Sequence, residues 1–241
     1  MSRAECLHFY ETMNRNGLGD WFMMGKLYAV GVGPGDPQLL TLKAVKVLQM
    51  ADVIACPAKG NTAGVAYGIA KQACPELAGK ETLLLTFPME KGDLSVAHQK
   101  AAENILSFLQ SGKEVAFLTL GDPCFYSTFS YIADILKKEG IEMEIINGIP
   151  SFCGACAKLL LPVVTGDEAV QITSGEYRNF EGTLIIMKAG NRLKELKEKI
   201  ALDKKSAYLV ENCGMAQEKV YSGVASMPDQ TGYFSILIVK D

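Results

Sequence analysis

LYAVGVGPGDP at residues 27–37 and VAFLTLGDP at residues 115–123 are the stretches whose reading decides the fold. Each is a short apolar run that ends in a turn built from Gly, Asp and Pro, the pattern of a buried strand that delivers its loop to one edge of a sheet. Two such strand ends are expected to open towards one site. The first loop resembles a nucleotide cradle but lacks its spacing. Counted from Gly31, the third glycine of Gly-x-Gly-x-x-Gly falls on Asp36. A carboxylate there repels a pyrophosphate, and Pro34 and Pro37 remove backbone N–H donors from the turn. A nucleoside ligand without phosphates suits such a turn better, and S-adenosylmethionine is one.

A chain of 241 residues, 49% of them apolar, can bury a substantial core and suits one large domain or two small, intimately packed halves. The net charge of -3 on a mixed-sign surface argues against nucleic acid as the main partner. The Lys-rich run at 194–205 alternates with Glu and Leu and reads as a solvated helix face. Cysteines at positions 6, 56, 74, 124, 153, 156 and 213 follow no secretory segment, which suggests free thiols in a reducing cytosol. Cys153 and Cys156 have ligand-like spacing, yet no second Cys or His pair completes a tetrahedral site, and both lie in the apolar run SFCGACAKLLLP. Packing as small hydrophobes is the plain reading, with metal or redox work as the alternative.

No apolar stretch approaches the length of a bilayer span, so a soluble, cytoplasmic protein that does not bind membranes is expected. The opening MSRAECLHFYETMNRNGLGDWFMM has neither a basic start followed by an apolar core nor strand alternation. Residues 1–25 read as a disordered or appended arm, with Met23 or Met24 an alternative start and Trp21 and Phe22 able to dock on the body or on a partner chain.

From Lys26 short apolar runs alternate with amphipathic stretches, the signature of an α/β sheet. After a strand at 27–32, Leu39, Leu42, Val45 and Leu48 recur at near-helical spacing before an apolar run at 52–56, which makes a βαβ unit. A helix over about 63–74 leads to a strand at 82–87, and a charged loop with Lys91, Gly92 and Asp93 precedes a helix that Ser95 caps. A strand at 115–120, a helix at 128–138 stopped by Lys137, Lys138 and Gly140, and a strand at 141–146 complete the first half. Asn147-Gly148-Ile149-Pro150 reads as a linker into a helix at 151–160, so the expected domains are 26–146 and 147–241. The second half carries fewer helices. Its strands, around 169–173, 183–188, 207–211, 219–221 and 233–239, suggest a mixed or antiparallel sheet.

The segments LYAVGVGPGDPQLLTLKA, TLGDPCFYSTF and NGIPSFCGACAKLLLP resemble, in order, the three signatures of the tetrapyrrole (corrin/porphyrin) methylases. The resemblance covers nearly everything after Lys26. It is greatest to the precorrin-2 C-20 methyltransferases, through Tyr126, Ser127, Thr128 and Phe129 after Gly121-Asp122-Pro123, and through Ser151-Phe152 after Pro150. It implies two α/β domains of the tetrapyrrole methylase type with S-adenosylmethionine in the cleft between them, assembled as a homodimer. It also implies methyl transfer to C-20 of precorrin-2 or cobalt-precorrin-2 (cobalt-factor II) in cobalamin biosynthesis, with no protein-bound metal, any cobalt being carried by the substrate. By position, Pro34 is implied to line the cleft, Leu120, Gly121 and Asp122 to hold the methionine part of the cofactor, and Phe125 to lie beside them. Ser127 and Thr128 are implied nearby, Pro150 and Ser151 to flank the cofactor, Met187 to pack on the adenosine, and Cys213 and Gly214 to form the last such position. Asn147 stands where Pro is the family's usual residue, a departure that touches the linker turn and not the fold.

A sulfonium is already a strong methyl donor, so attack by a ring carbon needs alignment and a dry cleft more than a strong acid or base; effective molarity can supply about 7–11 kcal/mol. Asp122 can orient the positive amino group of the cofactor or accept backbone N–H bonds in a tight turn, and one carboxylate can do both. Tyr126 can line the tetrapyrrole side, take up the proton lost from the meso carbon, or be an amphipathic residue at a domain interface. His98 is a candidate cobalt ligand or base against the plainer reading of a surface or satisfied core histidine, and His8 in the arm carries less. Arg178, Arg192, Lys59 and Lys91 are candidates to meet substrate acetates and propionates. The alternatives are another ring carbon, a modified protein histidine or ribosomal RNA as methyl acceptor, a non-catalytic S-adenosylmethionine-binding module, and a phosphate-binding nucleotide enzyme.

Overall fold

The two opening stretches form adjacent parallel strands, β1 (Leu27–Gly31) and β5 (Val115–Thr119), with every residue buried. A computed structural model describes residues 24–87 and 94–241. Burial of both faces accounts for the lack of polar alternation in these strands. Beside them run β2 (Val53–Lys59), β4 (Glu81–Thr86) and β6 (Met143–Ile146), in the parallel order β4-β2-β5-β1-β6, while the short β3 (Thr62–Ala63) turns back antiparallel on the end of β2. Helices α1 (Leu42–Met50) and α2 (Val65–Ala73) cover one face, and α3 (Ser95–Gln110) and α4 (Phe129–Lys138) the other. The chain leaves β1 for β2 on one side and leaves β5 for β6 on the other. Diverging connections of this kind leave a crevice beyond the carboxyl ends of the two strands.

Helix boundaries correct the periodicity in places. A 3-10 turn over Pro37–Leu39 comes first, and Thr41 then caps α1 by accepting the Ala44 N–H at 3.1 Å. Leu42 is therefore the first helical residue and 84% exposed, and the buried stripe is Ala44, Val47 and Leu48 instead of one through Leu39, Leu42, Val45 and Leu48. Ser95 is likewise the first residue of α3, not its cap, a position that Leu94 occupies. Lys91, Gly92 and Asp93 lie outside the described residues.

After the linker, α5 (Ser151–Lys158) ends short of Leu160, whose φ of +53° is incompatible with continuing a helix. The second sheet has the order β10-β9-β11-β8-β7, drawn from β7 (Val170–Ser174), β8 (Thr183–Met187), β9 (Ser206–Glu211), β10 (Lys219–Ser222) and β11 (Ser235–Lys240). It is mixed: β7 and β8 are parallel and the other pairs antiparallel. Helix α6 (Leu193–Leu202) lays Leu193, Leu196 and Ile200 on one face and leaves Lys194, Glu198 and Lys199 in solvent, while Phe152, Ala155 and Cys156 of α5 pack on the other. No helix among the described residues is long and apolar enough to cross a membrane.

The linker meets the first sheet on glycine. A Cβ on Gly31 would lie 2.5 Å from the Gly148 nitrogen and 2.7 Å from the Gly121 carbonyl oxygen, and a Cβ on Gly148 would collide with that same carbonyl. Main chains cannot yield as flexible side chains do, so a methyl group here forces three backbones apart. Gly148→Ala is expected to cost about 3 kcal/mol of stability or to prevent folding. Urea denaturation checks this, and an unchanged midpoint would show that the linker can step aside.

Candidate functional site

The loops after β1 and β5 are fastened to each other. Gly33 donates its N–H to the Gly121 carbonyl at 3.1 Å, Gly121 returns one to Gly33 at 2.7 Å, and Val32 donates to Thr119 at 2.9 Å. The first loop then runs against the second half of the chain. The Pro34 ring lies on Gly154 of α5, where an added Cβ would be 2.8 Å from Pro34 Cγ and 3.2 Å from Cys213 Sγ. Gly35 passes close over the Cys213 carbonyl and Gly214, so the loop after β9 and the loop after β1 share one wall. The Asp36 carboxylate accepts the Gln38 N–H at 2.9 Å and caps the 3-10 turn, which places an anion where a phosphate cradle needs donors.

Asp122 is only 5% exposed. Its Oδ1 accepts the Cys124 N–H at 2.8 Å, and its Oδ2 accepts the Gly148 N–H at 3.0 Å and Asn147 Nδ2 at 3.1 Å. A carboxylate has about four acceptor sites, and the Cys124 thiol also hydrogen-bonds to this one, so a ligand ammonium would take the place of that thiol. The backbone-capping role and the cofactor role are therefore compatible in this one group. Asn147 also accepts the Thr41 hydroxyl on its carbonyl at 3.4 Å. Motif reading misses Asn147 as an anchor, although the signal was present: an amide that can donate stands where the family's usual Pro cannot.

The rest of the β5 loop divides by direction. The Ser127 hydroxyl turns inward, 3.2 Å from the Thr119 hydroxyl and accepting the Phe129 N–H at 3.1 Å, and so caps the start of α4 beside the half-buried Thr128. Phe125 and Tyr126 turn towards the second half. The Phe125 ring meets Phe152 edge-on at 5.1 Å between centroids, and the Tyr126 hydroxyl donates to the Ile172 carbonyl at 3.0 Å. Leu120 packs against the α1–α2 side of the first core. Pro150 and Ser151 open α5 directly behind Gly121, whose added Cβ would lie 3.4 Å from the Ser151 nitrogen. Met187 ends β8 and packs in the cluster that holds Phe152 and Cys213, while its carbonyl accepts the Gly175 N–H at 2.8 Å. Pro34, Gly121, Asp122, Phe125, Pro150, Ser151, Cys213 and Gly214 thus converge, whereas the Ser127 side chain is committed to the fold.

The remaining candidates are more local. His98 is buried, stacked on Tyr131 at 4.7 Å and tilted against Phe87 at 5.7 Å, a packed position between α3 and α4. Arg178 pairs with Glu176 and Arg192 with Glu195, Lys59 is exposed at the end of β2, and Lys91 and His8 lie outside the described residues. Burial pushes the thiols of Cys56 and Cys213 up to about 11 and raises those of Cys153 and Cys156 as well. Among the described residues no group of three or more His, Cys, Asp or Glu could hold a metal ion.

The Asp122→Ala variant strands the Cys124 and Gly148 N–H groups and the Asn147 amide, so it is expected to lose about 3 kcal/mol in urea denaturation; wild-type stability would show that water replaces the carboxylate. A thiol held near 11 is thiolate to about one part in a thousand near pH 8. Iodoacetamide is therefore expected to modify exposed Cys124 before Cys56 and Cys213, whose labelling accelerates as pH rises, with peptide mass spectrometry as the readout.

The profile of the family Tetrapyrrole (Corrin/Porphyrin) Methylases matches residues 26–228. A Methanocaldococcus jannaschii protein named probable cobalt-precorrin-2 C(20)-methyltransferase is 38% identical over 233 residues, which cover 90% of this chain and 97% of its own. The precorrin-2 C(20)-methyltransferase of a Sinorhizobium species is 30% identical over 234 residues, 90% of this chain and 95% of its own. Among solved structures, a cobalt precorrin-4 methyltransferase superposes with a TM-score of 0.69 at 22% identity, over 89% of this chain and 94% of that one. A Thermus thermophilus uroporphyrin-III C-methyltransferase complexed with S-adenosyl homocysteine superposes with a TM-score of 0.66 at 19% identity, over 90% and 92%. These likenesses share the two α/β domains described above. A profile match that covers the first sheet and reaches through β10 of the second, and a relative 38% identical along nearly its whole length, lead to one assignment: this chain belongs to the tetrapyrrole (corrin/porphyrin) methylase family.

Proposed function

We propose that the protein is an S-adenosylmethionine-dependent C-methyltransferase that methylates C-20 of precorrin-2 or cobalt-precorrin-2 in cobalamin biosynthesis. The observation that carries this reading is the 38% identity over 90% of the chain to a relative named for that reaction. A relative named for a different tetrapyrrole, the Bacillus subtilis uroporphyrinogen-III C-methyltransferase, matches only 66% of the chain at 35% identity.

S-adenosylmethionine, when bound, supplies a methyl group on a positive sulfonium. The donor set fits it: Leu120, Phe125 and Met187 offer apolar surface, and the carboxylate of Asp122 suits an ammonium that displaces the Cys124 thiol from it. Pro34, Pro150, Cys213 and Gly214 supply walls, and the Ser151 main chain at the start of α5 lies directly behind Gly121. With a donor already activated, these residues contribute alignment and exclusion of water, a combination that can supply about 7–11 kcal/mol. Arg178, Arg192 and Lys59 remain candidates for the substrate carboxylates, since exposed ion pairs such as Arg178 with Glu176 are weak and exchange partners readily.

The same proposal takes the boundaries as residues 26–146 and 147–241 behind an arm of residues 1–25, and takes the assembly to be a homodimer in the cytoplasm. The family resemblance supports the dimer, and buried free thiols at Cys56, Cys74, Cys156 and Cys213 suit a reducing compartment. Light scattering of the purified protein is expected to give twice the chain mass.

Anaerobic incubation with S-adenosylmethionine and either metal-free precorrin-2 or its cobalt complex is expected to add one methyl at C-20, read by mass and carbon NMR. The faster of the two substrates identifies the route. Tight cofactor binding with no transfer to either would reject the assignment in favour of another acceptor or a ligand sensor.

A further inference from the structure

Among the described residues, the Tyr126 hydroxyl makes the one hydrogen bond that joins residues 24–146 to residues 151–241. It reaches from the β5 loop to the Ile172 carbonyl on β7, at 3.0 Å. β7 is an edge strand, where main-chain acceptors outside the ladder need another partner. Tyr126 makes that reach from an unfavourable backbone, with φ at +47°, a region that large side chains rarely adopt. Such a conformation persists only where neighbours over-determine it. Here Phe125 N–H is bound to the Asp122 carbonyl at 3.2 Å, the Phe125 ring is held on Phe152, and the Ser127 hydroxyl is tied to α4. Tyr126 as a whole stays 49% exposed, so the hydroxyl contact fixes its position more than burial does.

We propose that Tyr126 is a positioning residue, a latch whose hydroxyl holds the second domain against the cofactor loop and sets the closure of the cleft, and that it is not the proton acceptor of the reaction. The inference rests on the reading of this cleft as a methyltransferase site. The phenol's single proton is already directed at a carbonyl that has none to exchange, whereas a base needs its oxygen free to take one. Asp122 and Thr41 hold the linker at Asn147 and Gly148, whereas the Tyr126 bond reaches past the linker to β7, and one neutral hydrogen bond there is weak enough to open for entry of a large planar substrate and re-form afterwards. Tyr126 then acts on the reaction through the alignment of Leu120, Gly121 and Phe125, which share its loop.

Tyr126→Phe removes the hydroxyl and keeps the ring and backbone. Hydrogen exchange of peptides covering residues 121–128 and 170–174 is expected to quicken by about 3- to 10-fold, the range for one lost hydrogen bond. Turnover, measured as kcat/KM for the tetrapyrrole, is expected to fall by a similar factor with the shape of the pH–rate profile unmoved. Unchanged exchange in both peptides would overturn the latch whatever happens to turnover. A loss of about 100-fold or more with disappearance of one limb of the pH profile would overturn it in favour of a proton-transfer role. If the wild-type protein transfers no methyl, the functional assignment fails while the exchange measurement still decides whether the latch exists.

Discussion

The close passage of three main chains at Gly31, Gly121 and Gly148 is the constraint on which the rest of the molecule depends. It brings the end of β1, the loop after β5 and the entry to the second half of the chain to one point. Without a side chain at Gly31 or Gly148, the linker can lie directly on the strand ends, and the Gly148 N–H can reach the Asp122 carboxylate. Shift the linker outward by one methyl diameter, and α5 no longer places Pro150, Ser151 and Phe152 behind the loop. The cleft is thus a consequence of backbone contact, and its side chains decorate a position already fixed.

Asp122 shows how much a buried carboxylate can do without being a catalyst. Its three donors come from its own turn and from the linker, so its negative charge is spread over hydrogen bonds that each hold a piece of chain in place. Charge-assisted bonds of this kind are stronger than neutral ones, which suits a junction where two domains meet with few other polar contacts. The carboxylate itself is held in a rigid position by these donors. Preorganisation of that sort is what a methyl-transfer cleft requires, because its gain comes from geometry more than from acid or base strength.

Much of this was legible in the residues. Strands β1 and β5 could be read from apolar runs that end in Gly-Asp-Pro turns, because a strand buried on both faces needs no alternation, and their meeting at one crevice followed from the matched turns. The stripe of α1 was misread because Thr41 is a stronger start signal than the spacing of Leu39 and Leu42: a hydroxyl that caps an N–H decides where a helix begins, and the first turn is then free to face solvent. Long-range partners were beyond reach. That Tyr126 meets Ile172, or that Phe125 meets Phe152, depends on how two sheets are set against each other, which no local spacing encodes. The inward turn of Ser127 was hidden for the same reason, since its partner Thr119 sits on the preceding strand rather than in the loop.

The linker shows two answers to one physical requirement. A proline at position 147 would stiffen the turn through the unfolded state, by narrowing the conformations the free chain can sample. Asn147 leaves the free chain looser and instead ties the folded one, with its side-chain amide on Asp122 and its carbonyl under Thr41. Rigidity gained from a contact is available only while the contact's other members are in place, whereas rigidity gained from a ring is unconditional. The position of α5 in this chain is therefore coupled to the β5 loop more closely than a proline linker would make it, and a ligand that binds the Asp122 carboxylate acts on the linker as well as on the loop.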